Sequence, residues 1–287
     1  MFGPLCAFPI TPLAGVEVQE EGVVSLVRRA VDGGADSVCV LGSTGGYPYL
    51  TRSQRRRVAE LAVGAAGDVP VLVGAGALST RAVLEVVQDA QRAGVSGVLL
   101  APLSYQPLTD DEVFGLYADV TRELSVPLCV YDNPTTTHVR FSDALHARIA
   151  ELPLVRSVKL PGVPADPAAA RDRVAALRAL LPASVSLGVS GDAHAVRGLQ
   201  AGCDVWYSVL AGTLPVVCRE LLAPDADDSR LLPLWDLFSR YGSLRVVTAM
   251  TLALGLVARA DLPRPVRELP EAGRRELAAV LAALPVG

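Results

Sequence analysis

The stretch PLCVYDNPTTTHVRFSDALHARIAELPLVRSVKL, residues 127–160, holds one complete strand–helix–strand unit. It opens on the apolar run Pro127 to Tyr131, crosses a polar turn and a helical segment, and closes on the apolar run Val155 to Leu160. The first run is almost wholly apolar, as a parallel strand covered on two faces should be, and the second keeps Val155, Val158 and Leu160 around Arg156, Ser157 and Lys159. Outward from this unit the pattern repeats. Further strands are expected at Leu5 to Ile10, Ser37 to Leu41, Val69 to Val73, Gly97 to Ala101, Val185 to Val189 and Asp204 to Val209. The helices between them carry readable starts: capping boxes at Thr51/Gln54 and Thr109/Glu112, and an Asp166–Pro167 opening. Gly33–Gly34 and Gly94 sit where helices should stop.

Eight strand–helix units predict a (β/α)8 TIM barrel in residues 1–223. From Pro224 the sequence reads as helix only, with segments at Leu231 to Tyr241, Ser243 to Ala260 and Leu269 to Leu284, so residues 224–287 are expected to form a C-terminal helical region. An open doubly wound sheet is the competing fold, but no G-x-G-x-x-G follows the first strand.

A chain of 287 residues with 51% hydrophobic positions can bury a large core without staples. Its net charge of −4 lacks the basic field of a nucleic-acid binder. Five scattered cysteines form no C-x-x-C pair and read as free thiols in a reducing compartment. The first basic residue is Arg28, so no secretory n-region is apparent, and the apolar stretch between Arg245 and Arg259 is too short to span a bilayer. A cytoplasmic protein without membrane contact is expected. Three unpaired histidines give no metal-ligand spacing, so neither metal nor cofactor is expected.

Of the 26 basic residues, 25 are Arg and one, Lys159, is Lys. A surface cation tolerates either residue. A position needing a deprotonatable amine does not, because Arg stays charged whereas a desolvated Lys can attack a carbonyl. Lys159 closes the sixth strand, where barrel enzymes place their chemistry. The second strand runs into Gly42-Ser-Thr-Gly-Gly46, a turn able to aim amides and two hydroxyls at a carboxylate or phosphate. The fifth ends at Tyr131, one strand from Lys159. A lysine, a neighbouring phenol and an anion-binding turn together describe Schiff-base chemistry on a 2-oxo acid. The seventh strand ends in Ser190-Gly-Asp-Ala-His194.

These motifs resemble those of the dihydrodipicolinate synthase/N-acetylneuraminate lyase family, the pyruvate-dependent class I aldolases. Gly42-Ser43-Thr44-Gly45 matches its G-[ST]-[ST]-G turn, Tyr131-Asp132-Asn133-Pro134 its Y-N-x-P motif, and Ser157-Val158-Lys159 its [GS]-[IV]-K segment. The resemblance implies that Lys159 forms the imine, that Tyr131 relays protons, and that Ser43, Thr44 and Gly45 bind the pyruvate carboxylate. Thr136, Gly191 and Tyr207 complete the expected substrate-binding set. The resemblance also implies a homo-oligomer, tetramer or dimer. Several positions depart from the lysine-pathway synthases. Thr135, Thr136 and Thr137 fill the stretch where those enzymes hold an Arg, and Ser104 stands at a relay tyrosine's place. A neutral, hydroxyl-lined pocket favours a sugar-acid aldehyde partner, with dihydrodipicolinate synthesis as the alternative. A non-catalytic 2-oxo acid binder and a phosphosugar isomerase are readings of other classes.

Other groups allow blander readings. Asp192, His194 and His138 fit either a pocket lining or a helix cap. Asp110-Asp111-Glu112 fits a helix's first turn, where acids favour the dipole. Trp206, like Tyr207 at the last strand's end, fits either a pocket wall or packing, and His146 is expected on the solvent face of its helix.

Overall fold

The computed structural model describes residues 2–284. Eight parallel strands close into a barrel: β1 (Leu5–Ala7), β2 (Ser37–Val40), β3 (Val71–Gly74), β4 (Gly97–Leu100), β5 (Leu128–Tyr131), β6 (Val155–Leu160), β7 (Ser186–Ser190) and β8 (Val205–Ser208). Each pairs with its sequence neighbours, and β8 returns to β1 through Cys6↔Tyr207. All eight expected strands are present, their ends shifted by a few residues. A two-stranded ribbon, Leu13–Ala14 with Glu17–Val18, lies outside the barrel.

The strands are followed in turn by α1 (Glu20–Asp32), α2 (Arg52–Ala66), α3 (Thr80–Arg92), α4 (Asp110–Glu123), α5 (Asp143–Ala150), α6 (Pro167–Leu180), α7 (Ala195–Gln200) and α8 (Pro215–Glu220). Their starts are set by local chemistry. Both capping boxes form, and Asp166 accepts from the Ala169 amide with Pro167 behind it. Asp110, Asp111 and Glu112 occupy the first turn of α4, as the dipole reading requires.

Helices α9 (Leu232–Tyr241), α10 (Ser243–Ala253) and α11 (Glu271–Ala283) form the C-terminal extension. The sequence predicts helix on to Ala260, but α10 stops at Ala253. Gly255 enters the left-handed region (φ 65°) and the Leu256 amide donates back to Thr251, a turn that apolar periodicity does not foreshadow. Val247 of α10 packs with Ile10 and Leu26, so the extension seats itself beside the loop after β1.

Alternation along the strands sorts the core into two layers. Leu5, Val38, Val130, Val158 and Leu187 face outward into a continuous apolar layer beneath the helices. Cys6, Cys39, Leu72, Leu99, Cys129, Tyr131 and Tyr207 face the barrel axis.

Candidate active site

Lys159 and Tyr131 are register partners at the ends of β6 and β5. Both side chains point to the barrel axis, and Lys159 is only 2% exposed. Aromatic rings surround its Nζ, with the centroid of Phe8 at 3.7 Å, Tyr131 at 4.3 Å and Tyr207 at 5.6 Å. Among the described residues no carboxylate lies within ion-pair reach of it. The one lysine of the chain is thus walled by rings rather than neutralised in a salt bridge, a surrounding that excludes water from the amine.

The phenol of Tyr131 is held from two sides. Asn133 Nδ2 donates to its oxygen at 2.8 Å, and Ser43 Oγ lies 3.4 Å away. Because Asn133 uses the oxygen as an acceptor, the phenolic proton is free to point toward Ser43 or toward a substrate oxygen. Ser43 reaches this place through strain in the turn. Leu41 sits at φ 59°, a left-handed conformation that costs a non-glycine residue energy, directly before Gly42. Gly74 of β3 makes the bend fit, since a Cβ there would stand 1.9 Å from the Leu41 carbonyl oxygen. Within the turn the Gly46 amide donates to Ser43 O, while the amides of Ser43, Thr44 and Gly45 donate to no backbone carbonyl among the described residues. Unspent amides in a tight turn are what an anionic oxygen requires.

The other expected residues are placed differently. Tyr207 lies wholly inside the barrel with its hydroxyl turned below Lys159, 2.6 Å from Ser157 Oγ and 3.3 Å from Cys129 Sγ. Burial pushes that phenol well above its ordinary range. Thr136 is exposed on a one-turn helix, Pro134–Thr137, and Gly191 is exposed at φ 75° against the His194 ring. Asp192 is buried and accepts from Trp206 Nε1, Ser208 Oγ and the Leu210 amide, a latch between the ends of β7 and β8. His138 is exposed, at φ 60° directly after the one-turn helix. His146 corrects its expectation: it is 1% exposed, facing Asp132 from α5 rather than facing solvent. Ser104 is half-buried beside Tyr105, which is 89% exposed.

Three contributors escaped the sequence reading. Phe8 forms the ring nearest the amine; its position two residues beyond Cys6 on the same inward face could have flagged it. Asn133 was visible only as a motif letter. Leu41 carries strain that no residue-type rule announces. The inner thiols do not compete with the amine: burial pushes Cys6 up to about 12 and Cys129 up to about 11, leaving both protonated at neutral pH. A groove of about 770 Å³ between α1 and the start of α8 lies outside the barrel and takes no part in this centre. Among the described residues no cluster of His, Cys, Asp or Glu is arranged to hold a metal, and no helix is long and apolar enough to cross a membrane.

Comparison with known proteins gives a consistent result. The model of the dihydrodipicolinate synthetase family matches residues 1–284. A 4-hydroxy-tetrahydrodipicolinate synthase of Phenylobacterium zucineum is 33% identical over 160 residues, and the match spans only about half of each protein, 55% of this chain and 54% of the relative. The enzyme of that name from Nitrobacter hamburgensis is 30% identical over 216 residues, 75% of this chain and 71% of its own. The crystal structure of a dihydrodipicolinate synthase from Agrobacterium tumefaciens superposes with a TM-score of 0.94 at 40% identity, covering 99% of this chain and 98% of that one. With the family model matching residues 1–284 and the fold superposing over 99% of the chain, the chain belongs to the dihydrodipicolinate synthetase family and is an enzyme of the class I aldolase type.

Proposed function

We propose that the chain joins pyruvate, or a related 2-oxo acid, to an aldehyde through an imine on Lys159. The observation that carries this reading is a buried, ring-walled lysine in register with a phenol whose proton is free. The Lys159 amine attacks the ketone carbon, Tyr131 passes protons to the carbinolamine oxygen, and water leaves. The resulting imine acidifies the adjacent methyl group. Transfer of a proton from there to the Tyr131 relay gives the enamine, which attacks the aldehyde carbon; the aldehyde oxygen takes up a proton, and water hydrolyses the product imine to free Lys159. The amides of the 43–45 turn and the hydroxyls of Ser43 and Thr44 hold the carboxylate and so aim the ketone at Nζ.

The names carried by the relatives support 4-hydroxy-tetrahydrodipicolinate synthesis as the physiological reaction. One observation favours a second reading, sugar-acid cleavage or synthesis: the exposed Thr135 and Thr136 follow the phenol with hydroxyls and no cation, while the Thr137 hydroxyl is spent on Asn133 O and the Val139 amide. Exposed Tyr49, Leu78 and Tyr105, on the loops after three adjacent strands, support association of copies of the chain through this face. Light scattering of the purified protein would check that association.

The test of mechanism is intact mass after incubation with pyruvate and borohydride. One reduced pyruvyl group mapped to Lys159 is expected. A chain that traps nothing would refute the imine. Untreated enzyme offered pyruvate with aspartate semialdehyde or with a sugar-derived aldehyde then separates the two substrate readings by which one it turns over.

A further inference from the structure

Asp132 follows Tyr131, and by strand alternation its side chain leaves the barrel on the opposite face. There it meets His146 of α5, Oδ2 to Nε2 at 3.4 Å, with the two residues 7% and 1% exposed. The contact is within ion-pair distance but outside hydrogen-bond alignment. Asp132 Oδ1 and His146 Nδ1 find no other partner among the described residues. Around the pair, Phe141 stacks on the imidazole at 5.1 Å and 15° and meets Tyr117 edge-on; the Tyr117 hydroxyl donates to Leu100 O at 2.7 Å. The nearby charges are spent on each other, since Arg173 of α6 forks onto Asp143 of α5.

Such a pair is an expensive way to fill this space. The preceding outward residues of β5, Leu128 and Val130, are apolar, and a buried ionisable pair with unspent polar atoms is commonly less stabilising than an apolar pair of similar volume. The expense falls on the residue directly behind the proposed proton relay. The Asp132 amide also donates to Lys159 O at 3.1 Å, so one residue ties the ends of β5 and β6 together.

We propose that Asp132 and His146 are positioning residues for the imine centre: the pair fastens the end of β5 to α5 from outside the barrel and thereby sets the Tyr131 phenol against Lys159. This rests on the Schiff-base reading. The tests are Asp132→Leu, His146→Leu and the double Leu variant, each measured for melting temperature, half-saturating pyruvate and rate of borohydride trapping. The single variants lower the melting point by stranding one polar partner, so the double variant is decisive. It is expected to melt at or above the wild-type temperature, to keep half-saturating pyruvate within about twofold, and to trap about tenfold more slowly or worse. A double variant that regains both stability and rate would show the pair to be structural only and overturn the proposal; so would a single variant that keeps the full rate. A wild-type protein that traps no pyruvate overturns the Schiff-base reading itself, and the positioning role falls with it.

Discussion

On β6 the side chains of Val158 and Leu160 enter a uniform apolar layer beneath the helices, whereas Ser157 and Lys159, one position away, enter a barrel interior crowded with polar atoms. The same contrast runs around the barrel. Away from the Asp132–His146 pair the outer layer is mostly apolar volume, where a residue of similar size can replace another at small cost. The inner layer adds a set of specific contacts, Ser186 to Ser157, Ser157 to Tyr207, and rings on Lys159. Gly188 illustrates how tightly the inside is fitted, since a Cβ there would stand 2.2 Å from the Tyr207 ring. Except where Asp132 backs Tyr131, one face of each strand holds the fold and the other holds the chemistry, so substitutions on the two faces should fail in different ways.

The largest effect is expected at Lys159→Arg. Charge survives and nucleophilicity does not, so borohydride trapping should drop to background. The larger head overpacks the ring-lined space at a cost of about 1–3 kcal/mol, which a barrel of this size absorbs while remaining folded. A folded Lys159→Arg protein that still turns over substrate would place the nucleophile elsewhere.

The reverse failure is expected at Leu187→Ala on the outer face of β7. Leu187 is fully buried, and deleting it leaves a cavity worth about 2–5 kcal/mol of stability. Below its lowered melting temperature the variant should trap pyruvate at the wild-type rate. Loss of trapping by still-folded protein would mean that the two layers are not separable.

Tyr207→Phe tests the boundary between them. The sequence reading assigned Tyr207 to the substrate, but its hydroxyl is occupied below the amine by Ser157 and Cys129. Removing it forfeits the bond shared with Ser157, about 0.5–1.5 kcal/mol, and the weaker one from Cys129. Calorimetry should register that loss while half-saturating pyruvate stays unchanged. A marked weakening of pyruvate binding would return Tyr207 to the carboxylate site.

What the sequence disclosed follows the same division. Continuously apolar runs announced eight strands, because both faces of a barrel strand are buried. That very uniformity hid which face each residue takes: Cys6 and Leu5 look equally apolar, yet one lines the axis and the other the helix layer. Lys159 stood out because it is chemically unlike every other cation in the chain, and Ser43 and Tyr131 because strand ends name them. Asp132 and His146 were missed for a different reason. Helical position alone placed His146 outside, and only tertiary packing supplied the carboxylate that draws it in.

The smallest effect expected is a pH dependence at His194, where the inner and outer layers give way to the mouth. Burial, with Arg197 nearby, lowers its pKa below the ordinary 6.5. The folded state therefore prefers the neutral ring, and this contribution to stability is present above the unfolded value and is lost as pH falls through the folded one. The ring packs on Gly162, three residues past Lys159, and on Gly191. Its protonation should therefore loosen the loops after β6 and β7 before it touches the aliphatic layer. Melting temperatures at pH 7.5 and pH 5.5 should differ less in His194→Gln than in the wild type, the carboxylates contributing equally to both. An unchanged difference would assign the acid sensitivity to groups outside the mouth.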